Sequence, residues 1–583
     1  MTIVEEPGGT ADPSPSGTAG STAPGDAYVG GPGSAYELTS SEKTFIGGHI
    51  GIAIAALIVG SLMGPLQAFQ FSGLDLYPYL EPVIQSYYQG LTLHGVLNAL
   101  VWTTFFIVGF TNLTTMKGLG RPLSHPMINK VGFWVMTIGL VVTAIPILTN
   151  SASVLYTFYP PLKASWAFYL GLTLVVVGSW IEGLGFYLTL GAWRRDNPGV
   201  RSPFVALGGI INAAMWQIAT LGVAVLILTM LLPWSFGLID GTDPELARTY
   251  FWFTGHPLVY FWLLPAYVSW YGMLPRQAGG KLFSDSLARL AFWMFLIVSV
   301  PVGFHHQFVD PGVPQTWKWI HAGLTYSVFF PSMITAFTVI ASLEYAAKRR
   351  GGTGLVGWIR QLPWLDPSVA AQLLAAILFV FGGIGGLTNA SYNLNLVIHN
   401  TAWVPGHFHL TVASAVTLSF IGITYWMVPH LSGRALWRPG LAVAQAWVWF
   451  VGMIIFSNAM HVLGLLGAPR RTPLGDATYV PEEWEGHLLR SSIGGGILLI
   501  SVLMYAAIMI MTVRGEKIPD DEVPEVPIAE SIRSPQLTPI WLDRFKPWLL
   551  AAGALLVIAY GPQLVDQIWN MNLNAPGTEF VPW

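Results

Sequence analysis

The chain has 583 residues, of which 53% are hydrophobic and only 10% are Asp, Glu, Lys or Arg, and its mean hydropathy is +0.55. A soluble protein of this length carries about a quarter charged residues, so a soluble globule is excluded. The net charge of −3 hides an uneven distribution, and the absence of cysteine rules out disulfides, iron–sulfur clusters, thiolate copper sites and C-x-x-C-H haem attachment.

Residues 1–38 are rich in Gly, Pro, Ser and Thr and lack an apolar stretch, so they read as a disordered tail and not as a signal peptide. From 39 to 570 the charges sit in short clusters between apolar runs of about 18–30 residues, each long enough to cross a hydrocarbon core. Thirteen runs are expected as spans: 44–69, 87–114, 131–150, 166–193, 204–234, 249–273, 287–306, 319–345, 368–389, 406–429, 439–466, 492–514 and 547–569. Residues 571–583 remain as an external C-terminal tail. The fold class is therefore an all-α polytopic membrane protein with about 13 transmembrane helices, held in a lipid bilayer and with no nucleic-acid partner.

Lys and Arg residues set the expected orientation. With the N-terminus inside, 21 of the 27 fall in cytoplasmic connections, and only Lys163, Arg248, Lys318, Arg470, Arg471 and Arg490 fall outside. That split supports an odd number of spans. Glu182, inside the fourth run, is an intramembrane carboxylate without an assigned role.

Six of the 13 histidines lie in or at the ends of spans: His94, His256, His305, His306, His407 and His409. The alternating topology puts all six in the outer half of the membrane. A lone membrane histidine is often a packed, hydrogen-bonded residue, but six at one depth are not explained that way. His407 and His409, two apart, point about 200° from each other on a helix, so each suits a separate haem, with Phe408 between. His305 and His306 end a helix just after Pro301 and suit convergence on one small ion. His256 and Tyr260 are i, i+4 on one face. His49, His125, His321, His430, His461 and His487 lack comparable support and read as structural or interfacial.

The segments LTLHGVLNAL, WFTGHPLVYFWLLPAY, GFHHQFVDPG and HNTAWVPGHFHLTV resemble the haem–copper oxidase superfamily, subunit I, over spans 2 to 11 in order. The resemblance implies a terminal respiratory oxidase that reduces dioxygen to water and moves protons across a prokaryotic plasma membrane. It implies that His94 and His409 are axial ligands of a low-spin, b-type haem and His407 the ligand of a high-spin, a-type haem. His256, His305 and His306 would hold one copper, with Tyr260 cross-linked to His256. Leu258 stands where the mitochondrial-like branch has a glutamate, and HPLVY is similar to the type-B, ba-type enzymes, as is the span count. Asn395 departs from that pattern, which implies an acidic residue four positions before His399. Tyr260, Tyr267 and Tyr271 form one helical stripe, and Ser332, Thr335 and Thr338 another, with Ser284 near the inner end of span 7. By the resemblance they match a single K-type proton route. Without it, the hydroxyls would simply bond their own helices. Arg470 and Arg471 break the charge pattern in an outer loop and suit haem propionates.

Two other readings remain at this point. A nitric oxide reductase would keep the six histidines but place glutamates near the site. A secondary transporter would show repeat symmetry and bind no haem. Oxidases of the family it resembles usually receive electrons through a dinuclear thiolate-bridged copper centre or cysteine-anchored haems, and a chain without cysteine can build neither. The resemblance therefore implies a second, dinuclear-copper subunit carrying the cysteines, unless a quinol reduces the low-spin haem directly. That subunit would receive electrons from cytochrome c or a blue-copper protein.

Overall fold

The computed structural model describes residues 36–577, so the expected 1–38 tail lies outside the described residues except for its last three, as do the last six residues of the C-terminal tail. Eleven helices among the described residues are long and apolar enough to cross a membrane. They are α1 (Ser40–Phe71), α2 (Tyr87–Leu119), α3 (Pro126–Leu148), α4 (Trp166–Asp196), α5 (Phe204–Ser235), α8 (Gln315–Arg349), α9 (Pro367–Ala390), α10 (Trp403–Ser432), α11 (Pro439–Leu465), α12 (Glu482–Arg514) and α13 (Lys546–Trp569). The two other expected spans are also helical: α6 (Pro244–Gly272, 29 residues) and α7 (Asp285–Ser299, 15 residues). Helix α6 has the length but is diluted by aromatic, Gly and Pro residues. Helix α7 is short of the roughly 20 residues a span requires.

The helix ends follow local chemistry. Thr39 and Glu42 form a capping box ahead of α1, while the Asp243, Ser284 and Asp366 side chains cap α6, α7 and α9. Proline stands at the first position of α3, α6, α9 and α11. Helices α3 and α4 approach backbone to backbone, since a Cβ added to Gly139 would lie 2.7 Å from the Gly171 carbonyl oxygen.

Hydrogen bonds gather the connections at two ends of the bundle. At the end where α1 starts, Arg121 pairs with Asp196, and Arg434 donates to the Gly515 carbonyl. Arg289 bonds Asp285 and Asp543 there. At the opposite end Arg248 makes a bidentate pair with Asp310, and Arg470 donates to Asn400. There too Gly241–Thr242 pairs antiparallel with Ala575–Pro576, which ties down the start of the expected C-terminal tail. Helix α10 is the most enclosed, with 83% of its apolar window buried, against 22% for α13.

Candidate metal centre

Helices α1, α2, α6 and α8–α12 and the loops at the far end enclose a cavity of about 680 Å³. All six singled-out histidines line it, as do Tyr260, Ser332, Arg470 and Arg471. No Asp or Glu does so among the described residues.

The expected seventh span ends earlier than the sequence suggests. Helix α7 stops at Ser299, two residues before Pro301, and His305 and His306 sit in a separate 3₁₀ turn, Gly303–Gln307. Proline cannot donate to the preceding turn and disfavours helix in the residue before it, which breaks the helix there. The turn swings both imidazoles toward α6. The ligand nitrogens of His256, His305 and His306 all lie within 4.8 Å of one another. His256 Nδ1 and His306 Nε2 are 3.3 Å apart. Two imidazole nitrogens bound about 2.0–2.1 Å from one ion at roughly 109–120° would be about 3.3–3.6 Å apart, so the residues fit a shared metal. His256 Nε2 is buried without a hydrogen-bond partner. Trp252 stacks flat on His306, with centroids 3.7 Å apart and planes 5° from parallel. The Tyr260 ring is 4.9 Å from that of His256.

His409 faces α2. Its ring and that of His94 are 10° from parallel with centroids 6.3 Å apart. Two nitrogens about 2.0–2.1 Å either side of one ion, each about 1 Å from its ring centre, give a similar separation. His407 faces the other way, against α9, where a Cβ on Gly386 would come within 3.4 Å of its Cε1. Gly382, Gly383 and Gly386 line the cavity beside it and leave a smooth wall for a flat ligand. The opposite-face expectation for the pair matches this geometry.

The tautomers follow from the carbonyls. Nδ1–H of His94 donates to Gly60 at 2.8 Å, that of His409 to Pro405 at 2.7 Å, and that of His305 to Val302 at 2.6 Å. Each Nε2 therefore keeps its lone pair, which is how metal-ligating histidines are oriented. A π-turn follows each of the two segments that carry His94 and the His407–His409 pair, at Val96–Trp102 and Thr411–Val416, as is frequent at functional sites.

Arg470 and Arg471 border the cavity. The Arg471 guanidinium lies 5.6 Å from the Tyr156 ring and 5.8 Å from that of Tyr159. Burial, together with the neighbouring Arg471 charge, pulls Arg470 down to about 10, so it remains a cation at neutral pH. Asn395 Oδ1 accepts from His399 Nδ1–H at 3.2 Å, and its amide nitrogen donates to the Asn389 carbonyl.

Of the expected proton route, Tyr271 donates to Thr335 Oγ1 at 2.8 Å, joining α6 to α8. Tyr267 is buried with its ring 6.4 Å from that of Tyr271. Thr338 Oγ1 is buried without a partner, and Ser332 bonds the Val328 carbonyl of its own helix. Ser284 is engaged as the N-cap of α7, accepting from Leu287 N–H. Glu182 has acquired partners: its carboxylate contacts His49 Nε2 and Asn112 Nδ2, each at 2.7 Å. Nothing local in the chain marks Trp252 and Thr325, which contact His306 and His305 from α6 and α8, or Asn98, which lies one turn along α2 from His94 with its side chain 3.2 Å from Nδ1.

Residues 45–497 match the family described as cytochrome c and quinol oxidase polypeptide I. Cytochrome c oxidase subunit 1 of Thermus thermophilus is 48% identical over 536 residues, covering 89% of this chain and 94% of its own. The alternative cytochrome c oxidase subunit 1 of Bradyrhizobium diazoefficiens is 27% identical over 485 residues, covering 76% and 75%. A heme–copper terminal oxidase dimer solved by cryo-EM superposes with a TM-score of 0.88 at 41% identity, covering 93% of this chain and 96% of that one. The chain belongs to the cytochrome c and quinol oxidase polypeptide I family.

Proposed function

We propose that this chain is the catalytic subunit of a terminal oxidase that reduces dioxygen to water at a haem–copper centre and couples this to proton uptake and pumping. The observation that carries the reading is the cluster of three imidazoles with converging nitrogens, sharing one carboxylate-free cavity with His407 and the His94–His409 pair. The lack of any lining carboxylate among the described residues favours an oxidase over a nitric oxide reductase.

His94 and His409 would hold a low-spin, b-type haem, His407 a high-spin, a-type haem, and His256, His305 and His306 one copper. Bound there, the iron and copper would supply the electron transfer that dioxygen reduction requires. The chain's own residues arrange the rest. The backbone carbonyls of Gly60, Pro405 and Val302 fix the imidazole tautomers. Tyr260, beside His256, holds a phenolic proton at the cavity wall and is placed for a cross-link to that imidazole. Tyr271 and Thr335 form a bonded step from which protons pass outward along Tyr267, with Ser332, Thr338 and Ser284 as further members of the route. Arg470 and Arg471, at the cavity border, would hold haem propionates by charge-assisted hydrogen bonds.

The N-terminus is read as cytoplasmic and the membrane as a prokaryotic plasma membrane. Electrons would come from cytochrome c or a blue-copper protein through a second subunit carrying a dinuclear copper centre. The test is oxygen uptake by the chain purified with and without that subunit. Full reduction to water with no hydrogen peroxide released, only in the two-subunit form, is expected. Rapid oxidation of reduced cytochrome c by the isolated, haem-loaded chain would contradict the partner assignment.

A further inference from the structure

We propose that His321 on α8 and Tyr560 on α13 are positioning residues for the copper-ligand loop, so that the most exposed helix of the bundle sets copper affinity from outside the cavity. This rests on the copper assignment above. The turn Gly303–Gln307 follows a broken helix, so its own backbone hydrogen bonds are few and its orientation must come from elsewhere. Two of its amides are taken up by these side chains. Gly303 N–H donates to Tyr560 Oη at 2.7 Å, and Phe304 N–H donates to His321 Nδ1 at 3.2 Å. His321 Nε2–H then donates to the Ala559 carbonyl at 3.0 Å, so one neutral tautomer satisfies both contacts. The imidazole therefore bridges α13 to the residue just before His305.

The bridge is buried and rigidly packed. His321 and Phe304 are fully buried, and Phe304, Val313, Ala559 and Tyr560 form a small apolar core separate from the main one. A Cβ on Gly303 would lie 2.2 Å from the Trp252 carbonyl oxygen and 2.3 Å from Tyr560 Oη. The turn is thus pinned between α6, which carries His256, and α13. One turn along α8 from His321, Thr325 donates to the His321 carbonyl and lies 3.0 Å from His305 Nδ1. Neither His321 nor Tyr560 lines the cavity. Both act through the backbone on either side of the ligands, and outer partners of this kind are worth on the order of 10–100-fold in metal affinity.

The test uses the haem-loaded two-subunit enzyme and reads copper retention against a soluble chelator, the infrared band of copper-bound carbon monoxide, and the haem spectra. His321→Asn keeps an acceptor near Nδ1 for Phe304, His321→Gln keeps a donor near Nε2 for Ala559, and His321→Leu keeps only volume. The expected order of copper retention is wild type, then Asn, then Gln, with Leu losing about tenfold or more in affinity, while both haem spectra persist. Tyr560→Phe removes a single oxygen and is expected to shift the carbon monoxide band and speed copper loss; it keeps the test open should the Leu variant fail to fold. Equal retention in all variants, or Leu retaining as much as Asn, overturns the proposal and leaves a packing role. Wild-type enzyme holding no copper would instead overturn the copper assignment itself.

Discussion

Two groups of histidine lie buried in the bundle, and they are built in opposite ways. Toward the end where α1 starts, His49 has both ring nitrogens committed, Nδ1 to the Phe45 carbonyl at 3.1 Å and Nε2 to Glu182 at 2.7 Å. Glu182 is held in turn by Asn112, and His49 and Glu182 are both fully buried. Toward the other end, His94, His409 and His305 commit only Nδ1 and turn Nε2 toward a cavity. A buried polar group costs free energy unless it is bonded, so open nitrogens turned toward a shared cavity suit a ligand, whereas the fully bonded His49 suits a structural role. Burial alone does not separate the two groups; the bookkeeping of lone pairs does.

The sharpest way to break this contrast is to remove a spare nitrogen. His305→Ala is expected to abolish copper retention and oxygen turnover, a loss beyond the roughly 100-fold reached by outer partners. Metal analysis and oxygen uptake check it, and retained copper would deny the cluster its role. The His407–His409 pair comes next. His409→Ala should remove the low-spin spectrum, while His407→Ala should chiefly abolish carbon monoxide binding. Either change eliminating both signals in folded protein would contradict the opposite-face arrangement.

A smaller effect is expected along the hydroxyl chain. Thr335→Val removes the acceptor of Tyr271 at nearly constant volume, so turnover should fall several-fold with both haem spectra intact. Unchanged turnover across a range of pH would assign Thr335 to packing. Activity should respond least at the satisfied cluster. His49→Ala leaves Glu182 without one partner and is expected to cost about 3–5 kcal/mol of stability, with turnover per folded molecule unchanged. Thermal denaturation followed by haem absorbance measures the cost, and a selective loss of turnover would move His49 into the working machinery.

Much of the candidate site was legible because its histidines travel in short motifs. The H-F-H spacing places His407 and His409 on opposite faces by helical geometry alone, and the structure directs them to α9 and α2. Pro301 announced a disturbed helix before His305, although not that α7 would stop at Ser299. The partners that orient these histidines were not legible. Gly60, Thr325 and Trp252 reach their histidines from other helices or from a neighbouring face, and nothing local in the chain signals such contacts. The same holds for Glu182, whose partners His49 and Asn112 lie 133 and 70 positions away. Span counting worked where apolar runs are long and was weakest at α6 and α7, where aromatic content and shortness blur the hydropathy.

The most direct test of the spare-nitrogen account is a copper-to-iron assay with reduced and carbon monoxide spectra on purified wild-type protein. The account predicts two haem irons and one copper per chain, one haem binding carbon monoxide and the other not. A chain that holds a single haem, or folds with iron but no copper, would contradict it.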